Sequence, residues 1–438
     1  MTARQWDARD RWLVAALVAM KLIVSCVIWR FGFSHVSDDD FARIVIAQMF
    51  AKSPSLDPST TSWLPFPFWV AGTVFMAAGR SLFIVKVLSL LQGAVAWAVL
   101  FVALRREHLA AWSAWICSAI AMCLPWNVWL GATIVPEGYV GPLLAAAMIA
   151  GSKPNALSAG LLLICTLSRY ESWPVAVALA GYWLLLALSG RSIKWALLAL
   201  VAIAGVIAWM AWNRTAHGDA LHFFARVSRY RQNLQLPTQV LAERIAVYPN
   251  AIVLVMGPFA AIALGALPAV VLRQTRMLWR LPLVLSVVEL GALIFGELKD
   301  GAPTHHPERA VLAIVVVLFA AGTSGWVTLF TNFARQRSAR EMFFIGGAAA
   351  LSVYGLVWGI RESGAFPGRS ESDVRQTQLM RGAALLPTVR YRVTPCAYEH
   401  FALIAAFGRP EQVEIVVPSV RTEPMRECPH VKVIDGSK

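Results

Sequence analysis

Apolar segments of about twenty residues follow one another along most of the chain, and they constrain its fold more than any other feature. Leu82 to Leu104 and Ala310 to Phe330 are two of these segments. A helix of this length, rising about 1.5 Å per residue, covers roughly 30 Å of hydrocarbon. With 58% hydrophobic and only 15% charged residues, the composition excludes an ordinary soluble globular protein. The sequence therefore predicts an all-α polytopic membrane protein.

The first apolar segment, Trp12 to Phe33, is too long for the core of a signal peptide, and no small-residue cleavage site follows it. It therefore predicts a permanent first membrane-spanning helix. The net charge is +14, but the sequence contains no nucleic-acid-binding motif. The basic residues are instead expected to face anionic lipid headgroups and the cytoplasm.

One ambiguous segment, Trp63 to Ala78, decides the predicted topology. It is interrupted by Pro65 and Pro67 and closed by Arg80. If this segment lies in the outer leaflet without crossing, the short basic loops all face the same side as the N-terminus, in agreement with the positive-inside rule; these loops are 105–108, 151–155, 190–194, 273–280 and 332–341. The sequence then predicts about eleven spans in a bacterial-type inner membrane, with the N-terminus in the cytoplasm and the C-terminal tail outside.

Polar residues concentrate on the predicted outer side. Three connections carry most of them, and they are Ser34 to Ser81, Asn213 to Pro249 and Glu297 to Arg309. Two smaller turns, around Glu137 and around Arg169 to Glu171, lie on the same side. The segment before the second turn, Leu157 to Leu167, is shorter than a full crossing, so Arg169 and Glu171 are expected below the membrane surface. Charged residues at such a depth are costly and usually functional.

Three consecutive carboxylates, Asp38, Asp39 and Asp40, open the first outer connection. They suit the N-terminus of a helix, where Ser37 or Asp38 would cap the chain and the acids would face the positive end of the helix dipole. Clustered carboxylates at a membrane surface also suit a general base that takes a proton from an acceptor hydroxyl. The two explanations are compatible.

The order of these motifs resembles the GT-C superfamily, integral-membrane glycosyltransferases that use lipid-phosphate-linked sugars, and in particular protein O-mannosyltransferases and aminoarabinose transferases. Acidic residues follow the first span, and an aromatic and proline-rich segment, Thr61 to Trp69, comes next. Glu137 matches the second acidic position of the family, and Ser168 to Pro174 resembles its arginine-plus-acid turn. The run from His305 to Arg309 resembles a late histidine and arginine signature. The resemblance covers roughly Trp12 to Phe330.

The resemblance implies transfer of one sugar from a polyprenyl-phosphate donor to a glycan, lipid or protein acceptor at the outer face, with inversion. Asp39 is the preferred base and Asp38 the next candidate, with Asp40 the third catalytic candidate. Glu137, Glu171 and Trp63 would orient the substrates.

Positive side chains on the outer side are candidate ligands for the donor phosphate; they are Arg169, Arg231, Lys299, His305, His306 and Arg309. The second outer connection adds further candidates, which are Arg214, Arg226, Arg229 and Arg244. Four arginines of this connection could equally form a solvated or lipid-headgroup-binding surface; these are Arg226, Arg229, Arg231 and Arg244.

A divalent cation is an open question at the sequence level. Mg²⁺ or Mn²⁺ could be held by Asp39, Asp40 and Glu137, since carboxylate oxygens suit these ions. A zinc site is not predicted, because adjacent His305 and His306 cannot easily bind one ion together and no cysteine accompanies them. No nucleotide-binding pattern is present, so a nucleotide-sugar donor is not expected.

The chain is expected to divide at residue 360 into a transmembrane catalytic domain (1–360), a linker (361–388) and a small outer α/β domain (389–438). In the last domain, Arg390 to Val393, Val413 to Val417 and Val431 to Ile434 are predicted strands and Tyr398 to Phe407 a helix. Cys396 and Cys428 could form a disulfide if the tail lies in an oxidising compartment.

Two charged residues lie inside predicted spans. Glu289 predicts either a structural ion pair or a proton path, and the pair is the favoured explanation. Lys21 is expected to extend its stem towards the membrane surface and to take no part in a site. The main alternative to an enzyme is a transporter or flippase for a lipid-linked glycan. A transporter would place its charges near the bilayer midplane in two related halves, and the sequence shows no such halves.

Overall fold

The computed structural model describes residues 7–33, 35–233, 240–299, 306–333, 337–362, 372–395, 398–416 and 429–434. These residues form a large helical bundle and one small sheet. In chain order the α-helices are α1 Ala8–Arg30, α2 Asp38–Lys52, α3 Phe66–Ala78, α4 Leu82–Arg106, α5 Ala111–Met122, α6 Pro125–Leu130, α7 Glu137–Ala150, α8 Ala156–Thr166, α9 Ser172–Gly190, α10 Ile193–His217, α11 His222–Asn233, α12 Leu241–Met256, α13 Ala260–Ala263, α14 Ala266–Val271, α15 Arg276–Leu298, α16 Leu312–Phe333, α17 Arg337–Glu362, α18 Ser372–Ala383 and α19 His400–Phe407.

Seven helical segments within the described residues are long and apolar enough to cross a membrane; they are Ala8–Arg30, Leu82–Arg106, Ser172–Gly190, Ile193–His217, Leu241–Ala263, Arg276–Leu298 and Leu312–Phe330. Four shorter helices, α3, α5, α7 and α8, are also apolar. The chain is therefore an integral membrane protein, and the predicted all-α polytopic class is confirmed. The number of eleven spans stays a prediction.

The core of the bundle surrounds α7, a helix of 14 residues that are all buried. It packs against α4, α8 and α16. Gly141 permits the close approach of α16, because a Cβ atom at this position would lie 2.9 Å from the Cβ of Leu312. Since α7 begins at Glu137, this packing carries a carboxylate into the interior of the protein.

Glycines also allow α14 and α16 to touch through their backbones. A Cβ atom at Gly325 would lie 1.9 Å from the carbonyl oxygen of Gly265, and one at Gly322 would lie 2.1 Å from that of Ile262. Close contact through small residues is a common way to pack helices in a membrane, where water gives no hydrophobic drive between them.

The helices α2 and α3 form a pair beside the bundle. A capping box between Ser37 and Asp40 begins α2, and Pro65 and Pro67 fix the first turn of α3, where no backbone N–H is needed. With 13 residues, α3 is roughly 20 Å long, too short to cross the hydrocarbon core. That the segment lies along the membrane stays a prediction.

The tail folds against this pair of helices. Its strands are β1 Arg390–Thr394, β2 Val413–Ile415 and β3 His430–Ile434, in the order β2-β1-β3, with β1 parallel to β2 and antiparallel to β3. Tyr391 pairs with Val413 on one side and with Val433 on the other. The predicted strands and helix are present, although β2 ends two residues early. Cys396 and Cys428 lie outside the described residues.

The prediction of a linker over 361–388 is wrong for a large part of that range, because α18 lies within it. This helix packs against α19, and Leu379 contributes to an apolar cluster that also contains Phe41, Phe75 and Leu403. The polar composition of this range did not indicate a helix, although one side of α18 is buried against α19.

Lys21 does not extend to the membrane surface as expected. Its side chain is fully buried, and Nζ donates hydrogen bonds of 3.0 Å to the hydroxyl of Ser25 and to the carbonyl oxygen of Gly131. Gly131 directly follows the short helix α6, so the hydrogen bond from Lys21 connects the end of α6 to α1.

Candidate active site

The centre of the candidate site is the carboxylate of Glu137. It is 1% exposed, and Oε1 accepts hydrogen bonds from Arg309 at 2.8 Å (Nε) and 2.6 Å (Nη2). Arg169 Nη1 lies 3.0 Å from the same oxygen. Arg309 belongs to a 3-10 turn just before α16, and Arg169 to the turn between α8 and α9. Since α7 packs between α8 and α16, its first residue meets both turns.

Arg169 also contacts Glu171, with Nε 2.7 Å from Oε1. Burial alone would lower the pKa of Arg169, but Glu137 and Glu171 hold that pKa above its ordinary value. Its guanidinium is therefore a fixed positive charge. The structure thus brings together four of the predicted site residues, Glu137, Arg169, Glu171 and Arg309.

The three aspartates, which the sequence could not distinguish, have different environments. Asp38 is held by Arg375 of the tail, with oxygen–nitrogen distances of 2.7 and 2.8 Å. Asp40 is buried, and its Oδ2 accepts hydrogen bonds from the backbone N–H groups of Val36 and Ser37. The side chain of Asp39 is 48% exposed and lies 3.6 Å from Arg309. Of the three, Asp39 is the open carboxylate next to the arginine cluster.

Burial also distinguishes Asp40 from the exposed Asp39. It raises the pKa of Asp40 to about 6, while backbone hydrogen bonds and Arg309 act in the opposite direction. Its Oδ1 is buried without a hydrogen-bond partner in the described part of the chain. A carboxylate that caps its own helix and has no access to solvent is poorly placed to take a proton from a substrate.

Arg43 is a candidate that the sequence reasoning missed. It is 4% exposed, and its guanidinium carbon lies 4.3 Å from the centre of the Trp63 ring, a cation–π contact. Burial lowers the pKa of Arg43 to about 10, although the charges of Glu137 and Asp39 act to raise it. The spacing from Asp39 was the available signal, because residues four apart lie on one face of a helix. Through Arg43, the predicted site residue Trp63 borders the cluster.

A small cavity lies behind the ion pairs. Its polar lining consists of Glu137, Glu171, Arg309 and Glu289, and its apolar lining comes from α7 and α16. Both carboxylate oxygens of Glu289 are buried without a hydrogen-bond partner in the described residues. The structural ion pair favoured for Glu289 is therefore not found there.

Aromatic side chains next to Arg169 hold the segment between α2 and α3 and the start of α11 together. The rings of Tyr170 and Phe223 stack with their centres 4.4 Å apart, and Trp209 Nε1 donates a hydrogen bond of 3.0 Å to the Tyr170 hydroxyl. Leu64 completes this apolar cluster. The start of α11 is thereby packed against Leu64, in the segment between α2 and α3.

Three other predicted phosphate ligands, Arg231, Lys299 and His306, have different surroundings. Arg231 makes two contacts with the carboxylate of Glu297, at 2.9 and 2.6 Å, so its charge is already balanced. Lys299 is exposed. His306 precedes the turn of Arg309 with a left-handed backbone (φ 64°), and its ring lies 6.2 Å from that of Trp126. His305 lies outside the described residues.

The described side chains do not fit a cation shared by Asp39, Asp40 and Glu137. No group of three or more His, Cys, Asp or Glu residues in the described ranges is close enough to hold a metal ion. Arg309 contacts both Asp39 and Glu137, so a positive charge already occupies the space that these carboxylates share.

The fold of this helical bundle and its small tail domain matches that of solved protein structures. Specifically, it is similar to two crystal structures of ArnT from Cupriavidus metallidurans, one bound to undecaprenyl phosphate and one in the apo state. Each has a TM-score of 0.54, at 15% and 16% sequence identity, over 92% and 93% of this chain and 89% of the other. Models of known protein families and curated protein sequences gave no match.

Proposed function

We propose that the protein is a membrane glycosyltransferase that moves one sugar from a polyprenyl-phosphate donor to an acceptor hydroxyl. The observation that carries the proposal is the position of Asp39, an open carboxylate 3.6 Å from Arg309 at the edge of a buried arginine cluster. A base beside fixed positive charges is the arrangement that displacement of a phosphate leaving group requires.

In the proposed step, the Asp39 carboxylate takes the proton of the acceptor hydroxyl. The acceptor oxygen forms a bond to the anomeric carbon of the sugar as the bond from that carbon to the phosphate oxygen breaks. The departing phosphate keeps the electron pair. Attack from the side opposite the phosphate inverts the anomeric centre.

The negative charge that develops on the phosphate must be compensated by positive side chains of the protein, because the carboxylates of Asp39 and Glu137 do not share a metal ion in this proposal. Arg309 is the nearest positive group to Asp39. Arg43 and Arg169 lie behind it, held by Trp63, Glu137 and Glu171. Ion pairs that are already in place need little rearrangement when charge develops, which is why such preorganised groups stabilise transition states. We propose that these arginines bind the donor phosphate.

The donor class is supported by the fold. One of the similar ArnT structures is bound to undecaprenyl phosphate, and the likeness covers nearly the whole of this chain. We further propose that the site faces the outer side of a bacterial inner membrane and that the N-terminus is cytoplasmic, because the short basic loops then lie inside.

The test is mass spectrometry of glycans, lipids and glycoproteins from cells that express the wild-type protein, the Asp39→Asn protein or none. We expect one sugar-bearing product in the wild-type cells alone, since loss of a general base slows such steps by roughly 10²- to 10⁴-fold. Glu414→Gln is the matched control, because Glu414 is an exposed tail carboxylate. A product that persists with Asp39→Asn at the wild-type level would refute the catalytic role.

A further inference from the structure

A buried arginine of the C-terminal tail, the part of the chain from α18 onward, contacts α2, the helix that carries Asp39. Arg375, in α18, is 3% exposed. Its Nε and Nη2 atoms lie 2.7 and 2.8 Å from the two carboxylate oxygens of Asp38. This geometry is a two-bond arginine–carboxylate pair, which fixes the direction as well as the position of both groups. Asp38 directly precedes the proposed base in the chain.

Two more contacts fasten α2 to the tail. The side-chain amide of Gln48 donates hydrogen bonds to the carbonyl oxygens of Ala405, at 2.9 Å, and of Arg80, at 3.0 Å. Arg80 in turn makes two bonds of 2.8 Å with Glu411 of the tail. The start and the end of α2 are therefore both held by residues more than 300 positions later in the chain.

We propose that the tail is a positioning element of the active site, in which Arg375 neutralises Asp38 and leaves Asp39 as an exposed carboxylate beside Arg309. This inference rests on the proposed function of Asp39. Arg375 acts through Asp38 and does not itself touch the reacting groups.

The reason is electrostatic. Two neighbouring carboxylates repel each other, so an uncompensated Asp38 would disfavour the charged form of Asp39. An unpaired Asp38 would also compete for Arg309, the cation that the donor phosphate needs. Removal of Arg375 is therefore expected to lower the ionised fraction of Asp39 at acidic pH and to weaken the phosphate site, although Arg375 belongs to a different part of the fold.

The experiment measures sugar transfer as a function of pH in membranes that contain the full-length protein. Arg375→Met should lower kcat by roughly 5- to 50-fold and move the acidic limb of the pH profile upward by about half a unit to one unit. Arg392→Met is the control, because Arg392 pairs with Glu414 on the exposed surface of the same tail, and it should change neither quantity.

The double variant Asp38→Asn with Arg375→Met separates positioning from stability. It removes both charges, so the acidic limb should return to its wild-type position even if the folded state is less stable. Asp38→Asn alone leaves Arg375 without a charged partner, which favours the charged form of Asp39, so the acidic limb should move downward. These two variants provide the test if Arg375→Met does not fold.

Two results would overturn the inference. One is an Arg375→Met protein with the wild-type acidic limb and kcat, and the other is a double variant whose limb is displaced or an Asp38→Asn protein whose limb moves upward. If either occurs while Asp39→Asn abolishes transfer, the positioning role is wrong and the proposed function stands. If Asp39→Asn transfers sugar at the wild-type rate, the proposed function itself is wrong.

Discussion

Glu137→Gln is the substitution for which the structure gives the clearest energetic expectation. The Glu137 side chain is 0% exposed, and its partners Arg309 and Arg169 are 6% and 14% exposed. Glutamine keeps the shape but removes the charge, which leaves two buried guanidinium groups with less compensation. Removal of one partner from a buried ion pair costs about 3–5 kcal/mol. Because Glu171 and Asp39 still balance part of the charge, we expect about 3 kcal/mol.

Glu414→Gln provides the comparison. Glu414 and Arg392 are 2.9 Å apart, within the same range of distances, but they are 52% and 48% exposed. An exposed pair contributes only about 0–1 kcal/mol. The assay is denaturant unfolding of both variants in detergent, followed by tryptophan fluorescence. If both variants lose the same free energy of unfolding, burial is not what makes the Glu137 ion pairs contribute more to stability than the exposed pair.

Three further predictions follow from individual residues. Burial raises the pKa of Asp40 to about 6. Its contribution to the free energy of unfolding is therefore fully present below the unfolded pKa of about 3.9 and is lost as the pH rises to about 6. Asp40→Asn should flatten this pH dependence in unfolding titrations across that range. Gly325→Ala should abolish folding or lower the unfolding temperature sharply, because its Cβ would lie 1.9 Å from the Gly265 carbonyl oxygen, whereas Gly291→Ala, with nothing within 4 Å, should be tolerated. Sugar transfer should persist in EDTA, because Arg309 occupies the space between Asp39 and Glu137; loss of transfer that Mg²⁺ restores would contradict this assignment.

Much of the fold could be predicted because apolar length and loop charge are local signals. The run from Leu82 to Leu104 predicted α4. The helix α18 could not be predicted in the same way. Its stability depends on packing against α19 and α2, and its polar composition resembles that of a linker.

The candidate site shows the same division. The sequence indicated that acids near Asp39 and Glu137 and cations at Arg169 and Arg309 belong together, and the structure brings Arg309 within 3.6 Å of Asp39. It could not show which of three adjacent aspartates is free, because that depends on Arg375, 337 positions from Asp38. Nor could the sequence show that Arg231, a predicted phosphate ligand, pairs with Glu297, 66 positions away.

The most direct test of the central claim is turnover by the purified protein. Wild-type and Asp39→Asn proteins are placed in nanodiscs containing lipids from the host, and free polyprenyl phosphate is measured by mass spectrometry after acceptor fractions are added. We expect the wild-type protein to release polyprenyl phosphate in step with sugar appearing on an acceptor. We expect Asp39→Asn to release at least a hundred times less, because loss of a general base slows such steps by about 10²-fold or more. Equal release by both proteins, or acceptor modification with no polyprenyl phosphate formed, would contradict this expectation.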